Sequence, residues 1–321
     1  MNNFNELYNQ LQTPQKIVIT THQKPDGDAL GSSLGLYFFL KQLNHDVQVI
    51  SPTNWPNFLN WLPAINTVID FEMTTDFAIN KINQADLIFC LDFNAFERTK
   101  KMEPILKDLP VSKKILIDHH QAPDLSNFGY IISNPVKSST CELVFDFILT
   151  YNNDFKFEKD IATCLYTGLM TDTGSFRFSC THPSSHLMAA KLIATGIQQN
   201  KIHDIVLDSF SLNRLQFVGY CLLHCIEILP EQKTALMAVT HETILKYNIK
   251  TGDTEGLVNY LLSIEGIEVA AIIIDRGIER KWSFRSKNEI NVSIFAKSYF
   301  NGGGHINAAG GQSSLSLKEN I

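Results

Sequence analysis

The chain has 321 residues, enough for two domains, and 44% of them are hydrophobic, which fits a globular protein with a sizeable core. Its formal net charge of −6 and pI of about 5.9 argue against a protein that grips long nucleic acid, because such proteins present many basic groups to the phosphates. No apolar run approaches the roughly 18 residues of a membrane span. The polar N-terminus also lacks the basic segment followed by an apolar segment that is typical of a signal peptide. Six scattered cysteines without a CxxC pair indicate free thiols in a reducing cytoplasm.

Short apolar runs alternate with helical patterns over residues 1–195. Runs such as ADLIFCL are apolar almost throughout, which is typical of parallel strands buried on both faces of a sheet. We predict strands at residues 17–21, 47–50, 67–69, 85–91, 113–117 and 130–132, and helices at residues 5–13, 28–43, 96–108, 138–152, 158–170 and 184–196. The fold class is therefore α/β, with a doubly wound, mainly parallel sheet in the N-terminal domain. Gly31 and Gly35, four residues apart on one helix face, predict that this helix packs closely on the sheet.

The character of the sequence changes after residue 195. Residues 196–222 are mostly helical and are interpreted as a connector. Residues 223–321 are predicted to form a second, smaller α/β domain, with strands at 235–240, 269–276, 281–286 and 290–296, helices at 241–246 and 253–263, and a helix start at Ala308. The whole chain is expected to fold as two α/β domains joined by this helical connector.

His22, Asp26 and Asp28 follow the first predicted strand in a polar loop, which runs into a helix rich in glycine and serine. A strand, a polar loop and a small-residue helix are the parts from which an α/β protein builds a site at the carboxyl edge of its sheet. All three side chains are metal-ligand types, and their spacing lets them face one point. The same residues around Pro-Asp-Gly also suit an ordinary turn, so this stretch alone does not decide between the two.

Three further places carry such side chains directly after a strand or at a helix end. They are Asp92, Asp118-His119-His120 and Asp172. A single aspartate in such a position is usually a cap or turn residue. Because the carboxyl ends of parallel strands converge on one crevice, however, the four places together predict a shared metal site.

The ligand set indicates the kind of metal. It contains imidazoles and carboxylates but no thiolate, which argues against structural zinc and favours a six-coordinate ion such as Mn²⁺, with Mg²⁺ and Co²⁺ as alternatives. The ligands exceed what one ion needs once substrate and water bind, so two ions that share a carboxylate are expected. Such a pair stabilises both sides of a phosphoryl displacement and activates the attacking water.

The order of these residues resembles the four motifs of the DHH phosphoesterase superfamily, which here read His22-x-x-x-Asp26-x-Asp28, Asp92, Asp118-His119-His120 and Asp172. Residues 302–310, GGGHINAAG, resemble the glycine-rich motif of the C-terminal domain associated with that superfamily. The resemblance spans nearly the whole chain. It is closest to the branch of nanoRNases and 3′-phosphoadenosine-5′-phosphate (pAp) phosphatases.

The resemblance implies that the candidate ligands divide between two ions. The first ion would be held by His22 and Asp26, and the second by Asp28, His119 and Asp172. Asp92 would bridge the two ions, a role that suits a side chain at the end of a rigid strand.

The resemblance also assigns residues around the scissile phosphate. Asp118 would orient a histidine, and His120 would face the phosphate. Arg98, six residues after Asp92, would help to neutralise the phosphate; a solvated helix residue is the alternative interpretation.

In the second domain the resemblance implies a substrate-binding surface. Three successive glycines, Gly302, Gly303 and Gly304, would let the backbone approach an anion and present N–H groups to it, whereas a flexible loop is the simpler interpretation of such a run. His305 would bind a terminal phosphate or ribose. Arg285, on a predicted strand, would reach a substrate phosphate or base, and Arg276 is a further candidate of the same kind.

The implied activity is metal-dependent hydrolysis of very short oligoribonucleotides (nanoRNA) and of pAp. Alternatives are a phosphodiesterase for pApA or cyclic dinucleotides, an exopolyphosphatase and a non-catalytic nucleotide-binding protein. The glycine-rich tail argues against the polyphosphate alternative, and the complete ligand set argues against the non-catalytic one. The expected partners are short RNA or small phosphorylated nucleotides, without long nucleic acid or a membrane. A homodimer is compatible with the family, and no residue pattern specifies one.

Overall fold

The computed structural model describes residues 4–250 and 252–320 of the chain. These residues cluster into two units, and the chain passes from the first to the second between Asp208 and Ser209. The boundary lies inside the stretch interpreted as a connector. Ile202 belongs to the core of unit 1, whereas Phe217 belongs to a core of unit 2, so each half of that stretch packs with a different unit.

Unit 1 is built on a parallel sheet that has six strands among the described residues. The strands are β1 (Lys16–Thr20), β2 (Asp46–Ser51), β3 (Ile69–Asp70), β4 (Leu87–Leu91), β5 (Lys114–Asp118) and β6 (Tyr130–Ser133). Their order is β3-β2-β1-β4-β5-β6, and every neighbouring pair is parallel. The order reverses between β1 and β4, which is where sheets of this kind form their binding crevice. The predicted α/β fold class is confirmed.

Helices cover both faces of this sheet. They are α1 (Phe4–Gln10), α2 (Gly27–Gln42), α3 (Thr75–Gln84), α4 (Glu103–Asp108), α5 (Thr140–Tyr151), α6 (Lys159–Asp172), α7 (Pro183–Ile193) and α8 (Gln199–Leu207). Alternate residues of β4 enter two different cores: Phe89 joins the core that includes α2, α5 and α6, and Ile88 joins the core that includes α3 and α4. Sequence analysis missed α3, because only Ala78 and Ile82 of this polar helix are buried.

The glycines of α2 let this helix approach α6 closely. A Cβ atom added at Gly31 would lie 2.5 Å from the carbonyl oxygen of Cys164 in α6, a distance that real Cβ atoms do not reach. The prediction that Gly31 and Gly35 pack on the sheet is therefore wrong, since both face α6. Gly168 of α6 makes the reciprocal approach, because its added Cβ would lie 2.9 Å from the Asp28 Cα atom. The start of α2 and the end of α6 are thus held together.

Unit 2 contains a mixed sheet, with six strands in the part of the chain that is described. The strands are β7 (Ile226–Leu229), β8 (Thr234–Val239), β9 (Val269–Asp275), β10 (Arg280–Ser286), β11 (Gly303–His305) and β12 (Ala308–Ser313), and the helices are α9 (Leu212–His224), α10 (His241–Lys246), α11 (Leu257–Leu262), α12 (Val292–Tyr299) and α13 (Leu317–Asn320). Their order is β11-β12-β10-β9-β8-β7; β8 and β9 are parallel, and the other neighbours are antiparallel.

Two predictions for unit 2 are wrong. Residues 290–296 were expected to form a strand, but α12 begins there. Asn291 accepts hydrogen bonds from the main-chain N–H groups of Ser293 and Ile294, which is the bonding of a helix N-cap. Ala308 was expected to begin a helix, but it begins β12, whose backbone pairs with β10 on one side and β11 on the other. None of the helices in the described ranges is both long enough and apolar enough to cross a membrane.

Candidate metal centre

The loop between β1 and α2 carries the first candidate ligands. Asp26 is the N-cap of α2, and its Oδ1 accepts hydrogen bonds of 3.1 Å from the N–H groups of Asp28 and Ala29. The other oxygen of Asp26, Oδ2, lies 4.0 Å from Nε2 of His22. The Nδ1 atom of His22 is 2.8 Å from the Gln23 carbonyl oxygen. Because that oxygen only accepts, Nδ1 is the donor, and Nε2 is the nitrogen directed toward the carboxylates.

Asp92 lies at the centre of the site, directly after β4. Its φ of 63° is in the left-handed region, which costs a residue with a side chain roughly 1–2 kcal/mol. The Oδ2 atom of Asp92 is 3.4 Å from Nε2 of His22, and the Oδ1 atom is 3.6 Å from Nε2 of His119. The Asp92 N–H also donates to the Ile117 carbonyl, 3.1 Å away on β5. The two oxygens of this one buried carboxylate therefore face different histidines.

A second group of candidate ligands lies on the other side of Asp92. Nε2 of His119 is 3.3 Å from Oδ2 of Asp172 and 3.8 Å from Oδ2 of Asp28. Asp28 is in the first turn of α2 and Asp172 is the last residue of α6, so the close packing of these helices brings the two carboxylates together. Nδ1 of His119 is 3.2 Å from the Lys137 carbonyl oxygen, which directs Nε2 inward as in His22.

These side chains form groups of the size that metal ions require. Within each group the candidate ligand atoms lie within 4.8 Å of one another. One group is His22, Asp26 and Asp92, and another is Asp28, His119 and Asp172. The donors are carboxylate oxygens and imidazole nitrogens, which suit a divalent cation with a preference for oxygen ligands. The site can hold metal.

Sequence analysis missed the start of α5 as a part of this site. The main-chain N–H groups of Thr140 and Cys141 donate to the two carboxylate oxygens of Asp28, at 2.7 and 2.9 Å. The Thr140 hydroxyl donates to Oδ1 of Asp92 at 3.0 Å. The only signal in the sequence is the run from Ser139 to Glu142, which fits the S-x-x-E pattern of a helix start.

His120 and Asp118 form a hydrogen-bonded pair beside Asp92. Nδ1 of His120 is 2.7 Å from Oδ1 of Asp118. Burial lowers the pKa of His120, and the positive charge of Arg98 lowers it further. Arg98 therefore lies within electrostatic reach of His120. Its carbonyl oxygen also accepts a 2.8 Å hydrogen bond from the Gln23 N–H, which ties the Arg98 segment to the first motif.

The carboxylates of Asp28 and Asp92 place negative charge in a buried site. Burial raises the pKa of Asp28 well above its usual value, and the charges of Asp92 and Asp172 raise it further. Burial also acts to raise the pKa of Asp92, but a hydrogen bond with His22 and the surrounding imidazoles outweigh it and lower this pKa. Throughout the described ranges, imidazoles are the only basic side chains within 4.0 Å of the Asp28 and Asp92 carboxylates. Bound cations would compensate this charge.

In unit 2, the sheet register brings two of the predicted substrate contacts to one face. Arg285 of β10 and His305 of β11 both pair with Ala308 of β12. Directly opposed residues of antiparallel strands point to the same face, so Arg285 and His305 share a face with only a small alanine between them. Gly303 is exposed, and a Cβ atom added to it would meet no atom within 4 Å. Gly303 itself is therefore open to solvent, whereas His305 is partly buried.

Arg276 is not part of this group. It follows Asp275, whose partner on β10 is Arg280, at the opposite end of that strand from Arg285. Arg280 and Arg285 are five residues apart, which is about 17 Å along an antiparallel strand. Arg276 instead donates a 3.2 Å hydrogen bond from Nη2 to the hydroxyl of Thr254.

Unit 1 has a doubly wound parallel sheet, with carboxylate and imidazole side chains where the strand order reverses. Unit 2 has a mixed sheet with a glycine-rich strand. The chain is therefore a two-domain α/β protein with a candidate metal-binding site. The chain belongs to the DHH family. The model of the DHH family N-terminal domain matches residues 16–169, and the model of the DHHA1 domain matches residues 234–321. The family resemblance drawn from the motifs is confirmed.

Relatives match the chain over nearly its full length. It is 30% identical, over 92% of its residues, to the bifunctional oligoribonuclease and PAP phosphatase NrnA of Thermus thermophilus, of which it covers 83%. It is 29% identical, over 95% of its residues, to the protein of the same name from Mycoplasma genitalium, of which it covers 91%. The crystal structure of an exopolyphosphatase-related protein from Bacteroides fragilis has 36% identity and a TM-score of 0.92, covering 98% of this chain and 92% of that one.

Proposed function

We propose that this chain is a two-metal phosphoesterase that hydrolyses very short oligoribonucleotides and pAp, with Mn²⁺ as its working ion. The observation that carries the proposal is the position of Asp92, whose two oxygens face His22 at 3.4 Å and His119 at 3.6 Å. A carboxylate shared by two ligand groups is what a pair of ions needs. The names of the full-length relatives from Thermus thermophilus and Mycoplasma genitalium support the substrate class.

The candidate ligands would hold the ions as two sets that share Asp92. The first set is His22 and Asp26, and the second is Asp28, His119 and Asp172. When bound, the ions would lower the pKa of the attacking water and neutralise charge on the phosphoryl group. The oxygen-rich ligand set favours Mn²⁺, and Mg²⁺ and Co²⁺ suit it as well.

His120, Asp118 and Arg98 act on the scissile phosphate in this proposal. Asp118 accepts from Nδ1 of His120 and fixes the ring, so Nε2 is the nitrogen that contacts a phosphoryl oxygen. The guanidinium of Arg98, whose charge lowers the pKa of His120, would add a permanent positive charge near the phosphate. These two groups hold the phosphate in place and offset its charge.

Unit 2 supplies recognition of the rest of the substrate. Arg285 and His305, on one face of its sheet, contact a phosphate or ribose, and the backbone from Gly302 to Gly304 receives an anionic group. This surface belongs to a chain whose formal net charge is −6, so acidic groups outnumber basic ones overall. It therefore suits a substrate with few phosphates better than a long strand.

The test is a substrate panel measured with the full chain, after removal of metal with a chelator and after addition of Mn²⁺. The panel contains RNA dinucleotides, longer RNA, pAp, pApA, a cyclic dinucleotide and polyphosphate. We expect hydrolysis of the dinucleotides and of pAp that is lost with the chelator and restored by Mn²⁺. Because the Bacteroides fragilis relative is described as exopolyphosphatase-related, polyphosphate is the critical competitor. Hydrolysis of polyphosphate alone, or activity that survives the chelator, would refute the proposal.

A further inference from the structure

The segment from Lys137 to Glu142 contacts three of the candidate metal ligands. The Lys137 carbonyl oxygen is 3.2 Å from Nδ1 of His119, and the N–H groups of Thr140 and Cys141 hold the Asp28 carboxylate. The Thr140 hydroxyl, which is fully buried, donates to Oδ1 of Asp92. One short piece of chain is therefore bonded to Asp92, at the centre of the proposed two-metal site, and to two ligands of the second group.

The carboxylate of Glu142 holds this segment in shape. Its Oε1 atom pairs with Nζ of Lys137 at 2.9 Å. Its Oε2 atom accepts from the N–H group of Ser138 at 3.1 Å and from the Ser138 hydroxyl at 2.6 Å, and the Ser185 hydroxyl of α7 lies 3.3 Å away. Glu142 is itself almost fully buried. A buried carboxylate with this many donors is expensive to disturb, and it fixes the turn that presents the Lys137 carbonyl and the Thr140 hydroxyl.

We propose that Thr140 and Glu142 are positioning residues for the metal site. Thr140 orients the Asp92 carboxylate through its hydroxyl, and Glu142 fixes the segment that carries Thr140 and the Lys137 carbonyl. Neither side chain contacts a metal or the substrate. This inference rests on the proposed function, because it concerns the same site. Outer groups that orient metal ligands typically contribute about 10- to 100-fold to metal affinity.

The test compares Thr140→Val with Thr140→Ser in the full-length chain. Valine has nearly the shape of threonine but lacks the hydroxyl, so it removes the bond to Asp92 and leaves the main-chain bond to Asp28. Serine keeps the hydroxyl. We expect Thr140→Val to weaken Mn²⁺ binding, measured by titration calorimetry without substrate, about 10-fold or more, and Thr140→Ser to stay near the wild type. Thr150→Val removes an exposed hydroxyl from the same helix and is the control.

Glu142→Gln provides a second, independent variant, because glutamine still accepts hydrogen bonds but cannot form the ion pair with Lys137. We expect it to weaken Mn²⁺ binding, and we expect high Mn²⁺ concentrations to restore much of kcat in both variants. A merely structural role would change the melting temperature without changing affinity in the folded protein. Wild-type affinity in folded Thr140→Val or in folded Glu142→Gln overturns the proposal. If the wild type binds metal but hydrolyses none of the substrates, the proposed function would be refuted, whereas the positioning role would not be contradicted.

Discussion

The candidate residues of the two units lie in contrasting surroundings. In unit 1, the side chains of Asp28, Asp92 and His119 are at most 5% exposed, and each is held by contacts from residues distant in the sequence. In unit 2, Arg285 and His305 are half-buried on a sheet face that opens to solvent at Gly303. A rigid, closed arrangement suits groups that need fixed distances, whereas an open face accommodates part of a substrate. Substitutions of these candidate residues should therefore lower kcat in unit 1 and raise KM in unit 2.

The largest effect is expected for Asp92→Asn. Asparagine retains the size of aspartate and tolerates the left-handed backbone of residue 92, so the change isolates the negative charge. We expect kcat for an RNA dinucleotide to fall by roughly 10²-fold or more, with a loss of Mn²⁺ bound per chain measured by calorimetry. Asp154→Asn, an exposed aspartate of the same unit, is the control and should retain full activity. Equal rates in Asp92→Asn and the wild type would remove Asp92 from the centre of the site.

Strong local patterns explain which parts of this contrast were predictable from the sequence. Asp92 and His119 follow strands that are buried along their whole length, and the topology of a parallel sheet brings such positions together. Glycine spacing correctly indicated that Gly31 lies against a close neighbour, but glycine carries no information about which neighbour, and the partner is α6. The bonds from Thr140 and Cys141 to Asp28 involve main-chain N–H groups, which leave no trace in the choice of side chain.

Unit 2 was harder to predict because its patterns are weaker. The run INVSIFA alternates like a strand, but Val292 and Ala296 also have the four-residue spacing of one helix face. Asn291 then stabilises the helix as its N-cap. Arg276 and Arg285 both belong to strand-like stretches, and Arg276 is a further candidate of the same kind as Arg285. The antiparallel pairing of β9 and β10 separates them to opposite ends, and that pairing follows from tertiary structure rather than from local sequence.

Gly168→Ala tests whether unit 1 depends on close packing. The added Cβ would lie 2.3 Å from the Cys141 Sγ atom and 2.9 Å from the Asp28 Cα atom, so both elements must shift. We expect a loss of about 1–3 kcal/mol in unfolding free energy, as for other overpacked cores, together with a fall in kcat because Asp28 is displaced. Gly219→Ala, in α9 of unit 2, is the matched control. Its added Cβ meets no atom within 4 Å, and it should be as stable as the wild type or more so.

Equal stability and activity of Gly168→Ala and Gly219→Ala would show that the contact between α2 and α6 can accommodate an additional methyl group. The rigidity argued for unit 1 would then need another source. Denaturant unfolding and steady-state kinetics on the same preparations separate the effect on the fold from the effect on the site.

Arg285→Ala tests the open face of unit 2. If the guanidinium contacts a substrate phosphate, its loss should raise KM about 10-fold or more, since a hydrogen bond to a charged group contributes roughly 1.5–3 kcal/mol, while kcat changes little. Arg276→Ala removes the same group at the other end of the hairpin and should leave KM within about twofold. A larger KM effect from Arg276→Ala than from Arg285→Ala would contradict the assignment. A kcat effect from Arg285→Ala without a KM effect would place this arginine in the chemical step instead.

The smallest effect concerns the helix behind that open face. α12 covers the opposite side of the unit 2 sheet, where Val292 and Ala296 pack in one core with Phe284. Asn291→Ala removes the N-cap of α12 and should cost about 1 kcal/mol of unfolding free energy, whereas Asn291→Asp keeps a cap oxygen and should cost little. Urea denaturation measures both variants. Neither variant should change KM, because the positions of Arg285 and His305 on the open face depend on the pairing of the strands and not on how firmly α12 is anchored. A raised KM in Asn291→Ala but not in Asn291→Asp would mean that unit 2 requires the same rigidity as unit 1, and the contrast between the two regions would fail.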